Sequence, residues 1–422
     1  MLGYQCFGLT LKEILAIITG GFAVFAMFFG AGNLVFPLLA GKITHSSFLS
    51  SFAGLSLTGI IVPFLGLLGI LLYEGSYQNF FDRFGKVIAF VLISLTGIMV
   101  RFLGLFGILL YQGSYQNFFD RFGKVIAFVL ISFMLLLLGP FGALPRCITV
   151  AFGSFSVLAP TFPLSGFSLI MSGIVFLLCL NRNQIVPLLG AVLAPIKILS
   201  VGFILLFGLL FAHSPQPSPM SSLDAFQDGV FQGYQMMDLI AAFFFATVIA
   251  RHFHLKFVEN GGNKNRTFIL PLYAMLLGSS LLLIVYLALV YLGATFSQDL
   301  SKHAPEQFLS VIAYLTLGNF GGRLVTIAII LSCFTTVIAL TTVFTDFLYE
   351  QIFKNRLSHT LCLSLTVAIT FLMSNLGFSG IVSFLMPILL YLYPLLILLT
   401  VINIATWVWE KLRPIKVRSS KT

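Results

Sequence analysis

Apolar runs long enough to cross a membrane recur along almost the whole chain, and no other feature constrains its fold more. Each run has about twenty residues, which as a helix span the ~30 Å hydrocarbon core of a lipid bilayer. Hydrophobic residues make up 59% of the 422 residues and charged residues only 9%, which excludes an ordinary globular protein. No large soluble domain fits between the runs. The sequence therefore predicts an all-α polytopic membrane protein surrounded by the lipid bilayer.

The apolar runs divide into ten segments. In chain order they cover residues 11–39, 47–73, 125–150, 164–180, 185–212, 230–250, 268–293, 323–347, 360–374 and 380–408. We assign a single transmembrane domain with a first half at 11–212, a second half at 230–408 and a basic tail at 409–422. Residues 1–10 lack the basic region and the cleavage site of a signal peptide, so we expect segment one to be retained.

A tandem duplication lies between segments two and three. Residues 56–93 recur as 94–131 with four differences. The differing pairs are Ile61/Met99, Pro63/Arg101, Leu68/Phe106 and Glu74/Gln112. A repeat architecture needs at least three complete units, and this unit cuts through parts of two helices and a loop. We therefore interpret it as a duplication and not as a structural repeat.

The duplication creates an extra hybrid apolar segment at 87–110, with Arg101 where the first copy has Pro63. An arginine near the middle of the membrane costs roughly 2.5–3.5 kcal/mol on insertion scales. The loops at 82–86 and 120–124 both read Asp-Arg-Phe-Gly-Lys, so both favour the same face of the membrane. We expect the hybrid segment to be re-entrant or displaced to the membrane surface.

Lysine and arginine residues in the short loops predict the orientation of the chain. Loops 251–266 and 349–357 and the tail are basic, whereas loop 213–228 contains no lysine or arginine. These basic loops and the tail share one side of the membrane if segments three to ten each cross it once. This predicts a protein of the inner (plasma) membrane whose C-terminus is cytoplasmic. The net charge of +10 comes from residues between and after the segments, so nucleic acid is not an expected partner.

Segment one contains polar and helix-breaking residues where a spanning helix is deepest in lipid: Gly30, Gly32, Asn33 and Pro37. A broken backbone at that depth exposes N–H and C=O groups that protein, ion or substrate must satisfy. Freed N–H groups of the second half-helix attract an anion and freed carbonyls a cation, as in the discontinuous helices of secondary transporters. The alternative is a Gly/Pro kink that helps helices to pack.

Segment six repeats these features, because Gly229, Gly233 and Tyr234 precede Asp238, a carboxylate within an apolar run. Carboxylates inside membrane segments are functional by default. The alternative is a helix N-cap close to the lipid headgroups. Segments one and six are five segments apart when the hybrid is left out, as an inverted five-plus-five repeat predicts, with a site at the midplane between the two breaks.

In segment eight, Ser332, Thr335 and Thr336 follow the i, i+3, i+4 spacing of one helix face. Their hydroxyl oxygens, together with freed carbonyls of segment one, would form a coordination shell for a hard cation such as Na⁺. The alternative is that these hydroxyls donate to carbonyls of their own helix, which is common in membrane helices.

An enzyme is not predicted. The sequence has no Ser/His/Asp arrangement, no H-E-x-x-H motif and no P-loop, and its intramembrane carboxylates are not paired. The five cysteines follow neither a metal-ligand nor a disulfide pattern, so we interpret them as small buried hydrophobes. A channel is also disfavoured, because no T-V-G-Y-G-type filter is present.

Five stretches together resemble a known family. They are Phe-Phe-Gly-Ala-Gly-Asn-Leu-Val-Phe-Pro at 28–37, Gly-Pro to Ala-Leu-Pro-Arg at 139–146, Ala-Pro-Ile-Lys at 194–197, Gly-Tyr with Met-Asp at 233–238, and Ser-Asn-Leu-Gly at 374–377. The sequence resembles the bacterial branched-chain amino acid:cation symporters of the BrnQ type over most of its length. The duplication departs from that family's pattern, and so does the lack of two further spans after segment ten.

The resemblance implies a LeuT-type five-plus-five inverted repeat with discontinuous helices one and six. It also implies uptake of leucine, isoleucine and valine with Na⁺ as coupling ion and no other cofactor. By analogy with that fold, the predicted cation ligands are Ala26, Phe29, Ser332, Thr335 and Thr336. The predicted substrate-binding residues are Phe29, Gly30, Ala31, Gly32, Asn33, Gly233, Tyr234 and Asp238. The amides around Gly30 to Asn33 would take the substrate carboxylate.

Three alternatives remain open at this stage. The carrier could be proton-coupled, or it could transport polar amino acids with the same fold. The duplication could also impair transport and leave a protein that binds leucine without moving it, or that binds nothing.

Overall fold

The computed structural model describes residues 10–83, 115–180, 194–257 and 266–412, and every regular element within these ranges is helical. In chain order the helices are α1 (Leu11–Phe28), α2 (Ala31–Thr44), α3 (Phe48–Ser56), α4 (Val62–Leu72), α5 (Tyr115–Leu138), α6 (Ala143–Leu158), α7 (Leu164–Leu180), α8 (Ala194–Leu210), α9 (Ser222–Met236), α10 (Asp238–Phe257), α11 (Arg266–Thr295), α12 (Phe308–Phe347), α13 (His359–Ser374) and α14 (Gly377–Leu412). The hybrid segment at 87–110 and residues 413–422 of the tail lie outside the described residues.

Six stretches of the described chain are long and apolar enough to cross a membrane. The pair α9 and α10, bent by 45° at its break, makes a seventh when counted as one span, and α7 and α13 are shorter apolar helices. Large apolar side chains such as Leu11, Phe320 and Tyr391 are more than three-quarters exposed on these helices. Apolar surface on this scale requires a lipid environment. The protein is therefore a multi-pass membrane protein, as the sequence predicts.

The helices pack in pairs that follow a regular scheme. Segment one (α1 and α2) packs along α11, which is segment seven, while segment six (α9 and α10) packs along α3 and α4, which form segment two. Segments three and eight contact each other through α6 and α12, and segments four and nine through α7 and α13. If each of segments one to four is exchanged with the segment five places later in the chain, the same pairs of segments remain in contact. An inverted repeat requires such a scheme, and the rotation that relates the two halves stays a prediction.

Segment two is continuous, because a π-helical turn at Leu57–Ile61 joins α3 to α4. Segment three is interrupted between Leu138 and Ala143, at Pro140, whereas Pro145 is accommodated in the first turn of α6. Pro37 likewise lies inside α2. Segment eight is longer than predicted, because α12 begins at Phe308 and is kinked at Gly318, whose φ is 68°.

The break in segment six is not at its glycines, and this corrects the sequence-based interpretation. Gly229 and Gly233 lie within α9 and face α3 and the turn after it. A Cβ atom at Gly229 would lie 1.9 Å from the Ser51 carbonyl oxygen, and one at Gly233 would lie 2.0 Å from the Thr58 hydroxyl. These glycines allow two helices to approach closely, and the break itself lies at Met237.

Candidate functional site

The first break separates α1 from α2 at Phe29 and Gly30. The Gly30 N–H donates to the Phe28 carbonyl at 2.7 Å and to Asn33 Oδ1 at 3.1 Å, and not to the Ala26 carbonyl four residues back. Gly30 is the N-cap of α2 and has no side chain to accept from the N–H groups of the first turn. The break therefore leaves the positive end of the α2 backbone available to an anion.

The second break is a single residue. Met237 adopts a left-handed conformation with φ of 61°, and its N–H donates to the Tyr234 carbonyl at 3.1 Å. The next residue, Asp238, begins α10 and is only 2% exposed. Its carboxylate lies at the helix N-terminus, where the backbone dipole stabilises negative charge.

Asn33 connects the two breaks. Its Nδ2 donates to Asp238 Oδ2 at 2.7 Å and also to the hydroxyl of Tyr286 on α11. The Tyr286 hydroxyl in turn donates to Asp238 Oδ2 at 3.0 Å. All three side chains are at least 97% buried, so their hydrogen bonds offset the cost of removing them from water. Asp238 thus contacts segments one and seven, which disfavours a headgroup-facing cap.

A cavity of about 60 Å³ lies between the two breaks. It is lined by Met27, Phe28, Gly30, Ala31, Gly32, Asn33, Leu138, Ala143, Arg146, Cys147, Met236, Met237, Asp238, Ala241, Phe245, Thr336 and Leu340. A water molecule needs about 10–15 Å³ of such space, so the cavity has room for a few waters. Ligand pockets usually measure about 300–1,000 Å³, so this cavity is smaller than a typical ligand pocket in this conformation.

Arg146 of α6 is a second charge in the cavity wall and is 2% exposed. Its Nη1 donates to the Gln235 carbonyl and its Nη2 to Gln235 Oε1 at 2.7 Å. The guanidinium carbon lies 5.2 Å from the centre of the Phe36 ring. Within the described chain the buried Nε has no hydrogen-bond partner. Sequence reasoning assigned Arg146 no role, although a charged residue inside an apolar segment is the signal that singled out Asp238.

Two larger cavities lie beyond this site. One, of about 270 Å³, is lined by Phe36 and Gln235 on its inner side and by Asp228 and Pro305. The other, of about 820 Å³, includes the basic residues Arg251 and Lys411 and the ends of α4 and α10. Since Phe36 and Gln235 both contact Arg146, this arginine lies between the 60 Å³ cavity and the 270 Å³ cavity.

Of the five predicted cation ligands, one lines the cavity beside the first break. Thr336 lines the cavity, whereas Ser332, Thr335, Ala26 and Phe29 do not. The hydroxyls of Thr335 and Thr336 donate to the Ser332 carbonyl at 2.8 and 3.1 Å, the bond proposed as the alternative to cation binding. A hydroxyl that donates retains two lone pairs, so this bond and coordination of a cation are compatible. The cation ligands stay a prediction.

The predicted substrate-binding residues separate into two groups. Gly30, Ala31, Gly32, Asn33 and Asp238 line the cavity. The other three pack elsewhere: Phe29 stacks on Phe25 at 5.1 Å, Tyr234 packs on Tyr393 at 4.7 Å, and Gly233 faces Thr58. Their assignment rests on the resemblance alone.

A buried site between two broken helices of a multi-pass membrane protein is characteristic of secondary transporters. The family described as "Branched-chain amino acid transport protein" matches this chain over residues 13–96 and 93–419. The chain therefore belongs to the family of branched-chain amino acid transport proteins. The two matched ranges meet where the copies of the duplication adjoin.

Two proteins of Bacillus subtilis (strain 168) are similar to this chain over most of their length. Branched-chain amino acid permease BrnQ is 28% identical over 392 residues, which cover 90% of this chain and 79% of the permease. Branched-chain amino acid permease BraB is 26% identical over 414 residues, which cover 94% and 81%. Among solved structures, MhsT in complex with L-phenylalanine aligns with a TM-score of 0.45 and 16% identity, over 90% of this chain and 81% of MhsT.

Proposed function

We propose that this protein imports leucine, isoleucine and valine across the plasma membrane by sodium-coupled alternating access, with its C-terminus in the cytoplasm. The observation that carries the proposal is the buried contact of Asn33 with Asp238, which joins the two helix breaks beside a cavity that Thr336 also lines. The names of the permeases BrnQ and BraB support the substrate class. The packing scheme of segments one to four with segments six to nine supports an inverted repeat, whose halves would move relative to each other during transport.

The cavity wall suits an aliphatic amino acid. The N-terminus of α2 offers N–H groups to a carboxylate, and the last carbonyls of α1 offer oxygens to a cation. Apolar side chains complete the wall, among them Met27, Leu138, Met236, Phe245 and Leu340. Each buried CH₂ group contributes about 0.8 kcal/mol, so this wall favours leucine over serine.

Access from either side would use the two larger cavities. The 820 Å³ cavity contains Arg251 and Lys411, which belong to the basic side that we assign to the cytoplasm. The 270 Å³ cavity contains Asp228 from the loop region without lysine or arginine, which we assign to the outside. Alternating access would connect the small site between the breaks to one of these cavities at a time.

Uptake into vesicles tests the proposal. Leucine uptake by vesicles that contain the protein should collapse when choline replaces Na⁺ outside. Valine should compete with leucine, and serine and glutamate should not. Uptake that is unchanged in choline would remove sodium from the mechanism, and competition by serine or glutamate without valine would indicate a carrier of polar amino acids.

Proton coupling is a second candidate, and Asp238 favours it. This carboxylate is buried inside a span and hydrogen-bonded by Asn33 and Tyr286, and such carboxylates form proton relays in other transporters. A proton-coupled carrier would lose uptake when a protonophore collapses the pH gradient at constant Na⁺. A sodium-coupled one would keep most of it once the membrane potential is clamped.

The duplication provides a third test. If it impairs transport, deletion of residues 94–131 should raise leucine uptake per molecule in the membrane. Equal uptake by the two proteins would identify the duplication as a tolerated insertion.

A further inference from the structure

We propose that Arg146 and Asp238 together bind the two charges of the amino acid backbone, Arg146 the α-carboxylate and Asp238 the α-ammonium. This inference rests on the proposed function and specifies its substrate site. Its basis is that two buried side chains of opposite charge line the same small cavity without forming an ion pair with each other in the described chain.

Arg146 has unused capacity for an anion. A guanidinium has five N–H donors and stays protonated in proteins. Two of the donors bind neutral oxygens of Gln235, its main-chain carbonyl and its side-chain Oε1, and the buried Nε lacks a partner within the described residues. A buried cation with only neutral partners is costly. A substrate carboxylate would supply the missing charge together with two acceptor oxygens in the geometry that a guanidinium prefers.

Asp238 has unused capacity for a cation. Its Oδ2 accepts hydrogen bonds from Asn33 and Tyr286, and both donors are neutral. Neither bond involves Oδ1, which leaves that oxygen for a further donor. An ammonium group brings three donors and the positive charge that the carboxylate lacks.

A zwitterion satisfies both residues at once, whereas a compound with a single charge leaves one of them unpaired. Sites with buried polar groups discriminate strongly against ligands that lack the matching group, because the groups of the site are then left without partners. The N–H groups at the start of α2 would bind the same carboxylate from the other side of the cavity. The apolar wall would then discriminate between substrates by their side chains, while Arg146 and Asp238 select α-amino acids as a class.

Ligands with one charge removed test this assignment on the purified full-length protein in detergent. The set is leucine, leucinol, which lacks the carboxylate, and 4-methylpentanoate, which lacks the ammonium. Calorimetric titration and the thermal shift caused by each ligand would give the affinities. A hydrogen-bonded charge contributes enough for roughly a tenfold to hundredfold preference for leucine over each analogue in the unmodified protein.

Substitution should remove these preferences one at a time. In Arg146→Gln, the preference for leucine over leucinol should fall to the part that the N–H groups of α2 supply, while the preference over 4-methylpentanoate remains. In Asp238→Asn, the preference for leucine over 4-methylpentanoate should be lost, while the preference over leucinol remains. Arg146→Lys keeps the charge and should keep part of the preference over leucinol, which provides a test if Arg146→Gln fails to fold. Matched controls are Arg323→Gln and Asp299→Asn, two exposed residues outside the cavity, which should leave both preferences unchanged.

The outcomes separate this inference from the proposed function. If the unmodified protein neither binds nor transports leucine, the proposed function fails and the charge receptor fails with it. If leucine is bound and transported but Arg146→Gln and Arg146→Lys both retain the full preference over leucinol, only the receptor is overturned. A preference over 4-methylpentanoate that persists in Asp238→Asn would overturn the role of Asp238 in the same way.

Discussion

The two helix breaks lie side by side but are built differently. At the first break, Gly30 leaves the N-terminus of α2 without a side-chain cap, so the backbone itself faces the cavity. At the second, Met237 turns the chain within one residue, and the side chain of Asp238 faces the cavity instead. The first break thus presents backbone groups and the second a charged side chain. A site that binds both an ion and an amino acid can use both kinds of group.

The difference also concerns how each break is maintained. Glycine is among the residues preferred at a helix N-cap, so the first break is favoured by local sequence. A non-glycine residue in the left-handed region costs about 1–2 kcal/mol, so Met237 must be stabilised by its surroundings. Met237 is 2% exposed, and Asp238 is bonded to segments one and seven. The second break is therefore imposed by tertiary packing.

The largest effect is expected from Asn33→Ala, because Asn33 serves both breaks. The substitution removes one of the two acceptors of the Gly30 N–H and the donor to Asp238 and Tyr286. Buried groups that lose a partner cost about 1–3 kcal/mol each, so we expect a loss of about 2–4 kcal/mol in the free energy of unfolding. Unfolding in detergent micelles followed by circular dichroism would measure it.

Asn375→Ala is the matched control for this change, since Asn375 is exposed and its side chain donates to the Phe371 carbonyl of the helix that it ends. We expect less than about 0.5 kcal/mol from it. Equal effects of the two substitutions would mean that Asn33 does not hold the breaks together.

A smaller effect is expected at the first break alone from Thr336→Val, which removes a hydroxyl from the cavity wall while keeping the size of the side chain. If leucine and Na⁺ share this break, coupling of ~1–3 kcal/mol shifts the Na⁺ concentration for half-maximal leucine uptake roughly 5–150-fold. Thr335→Val should shift it less, because Thr335 does not line the cavity.

Thr342→Val on the same helix is the control for the threonine series, because its hydroxyl also donates to a carbonyl of its own helix, that of Ile338. It should change stability at most and leave the Na⁺ dependence intact. If neither Thr335→Val nor Thr336→Val moves the half-saturation for Na⁺, the cation site is not on this face of segment eight.

The smallest effect is expected at the second break from Tyr286→Phe. This change removes one hydrogen bond to Asp238, which keeps its bond from Asn33. We expect a loss of about 1 kcal/mol in the free energy of unfolding. Tyr291→Phe, on the same helix and packed against Phe48, is the control.

Combined with Asn33→Ala, Tyr286→Phe should be non-additive, because the two side chains share one network. Additive losses would argue against that network.

The sequence by itself determined the class of the protein and much of its layout. Segment four coincides with α7 at 164–180, and segments two, seven, nine and ten agree with the structure to within a few residues. The first break was also correctly predicted, and Asp238 was identified as a carboxylate within an apolar run, with a headgroup-facing cap left open as the alternative. These features depend on local properties, namely the length of an apolar run, a glycine at a helix start and the position of a charge within a run.

Only the tertiary structure decided which residues meet. Asn33 bonds to side chains 205 and 253 positions away, and Arg146 bonds to one 89 positions away. The second break at Met237 and the packing role of Gly233 depend in the same way on neighbouring helices. Local propensity carries no information about such distant partners, because a helix has the same backbone whichever neighbour its polar groups face. The packing of the segments therefore determined how polar residues visible in the sequence became one buried site.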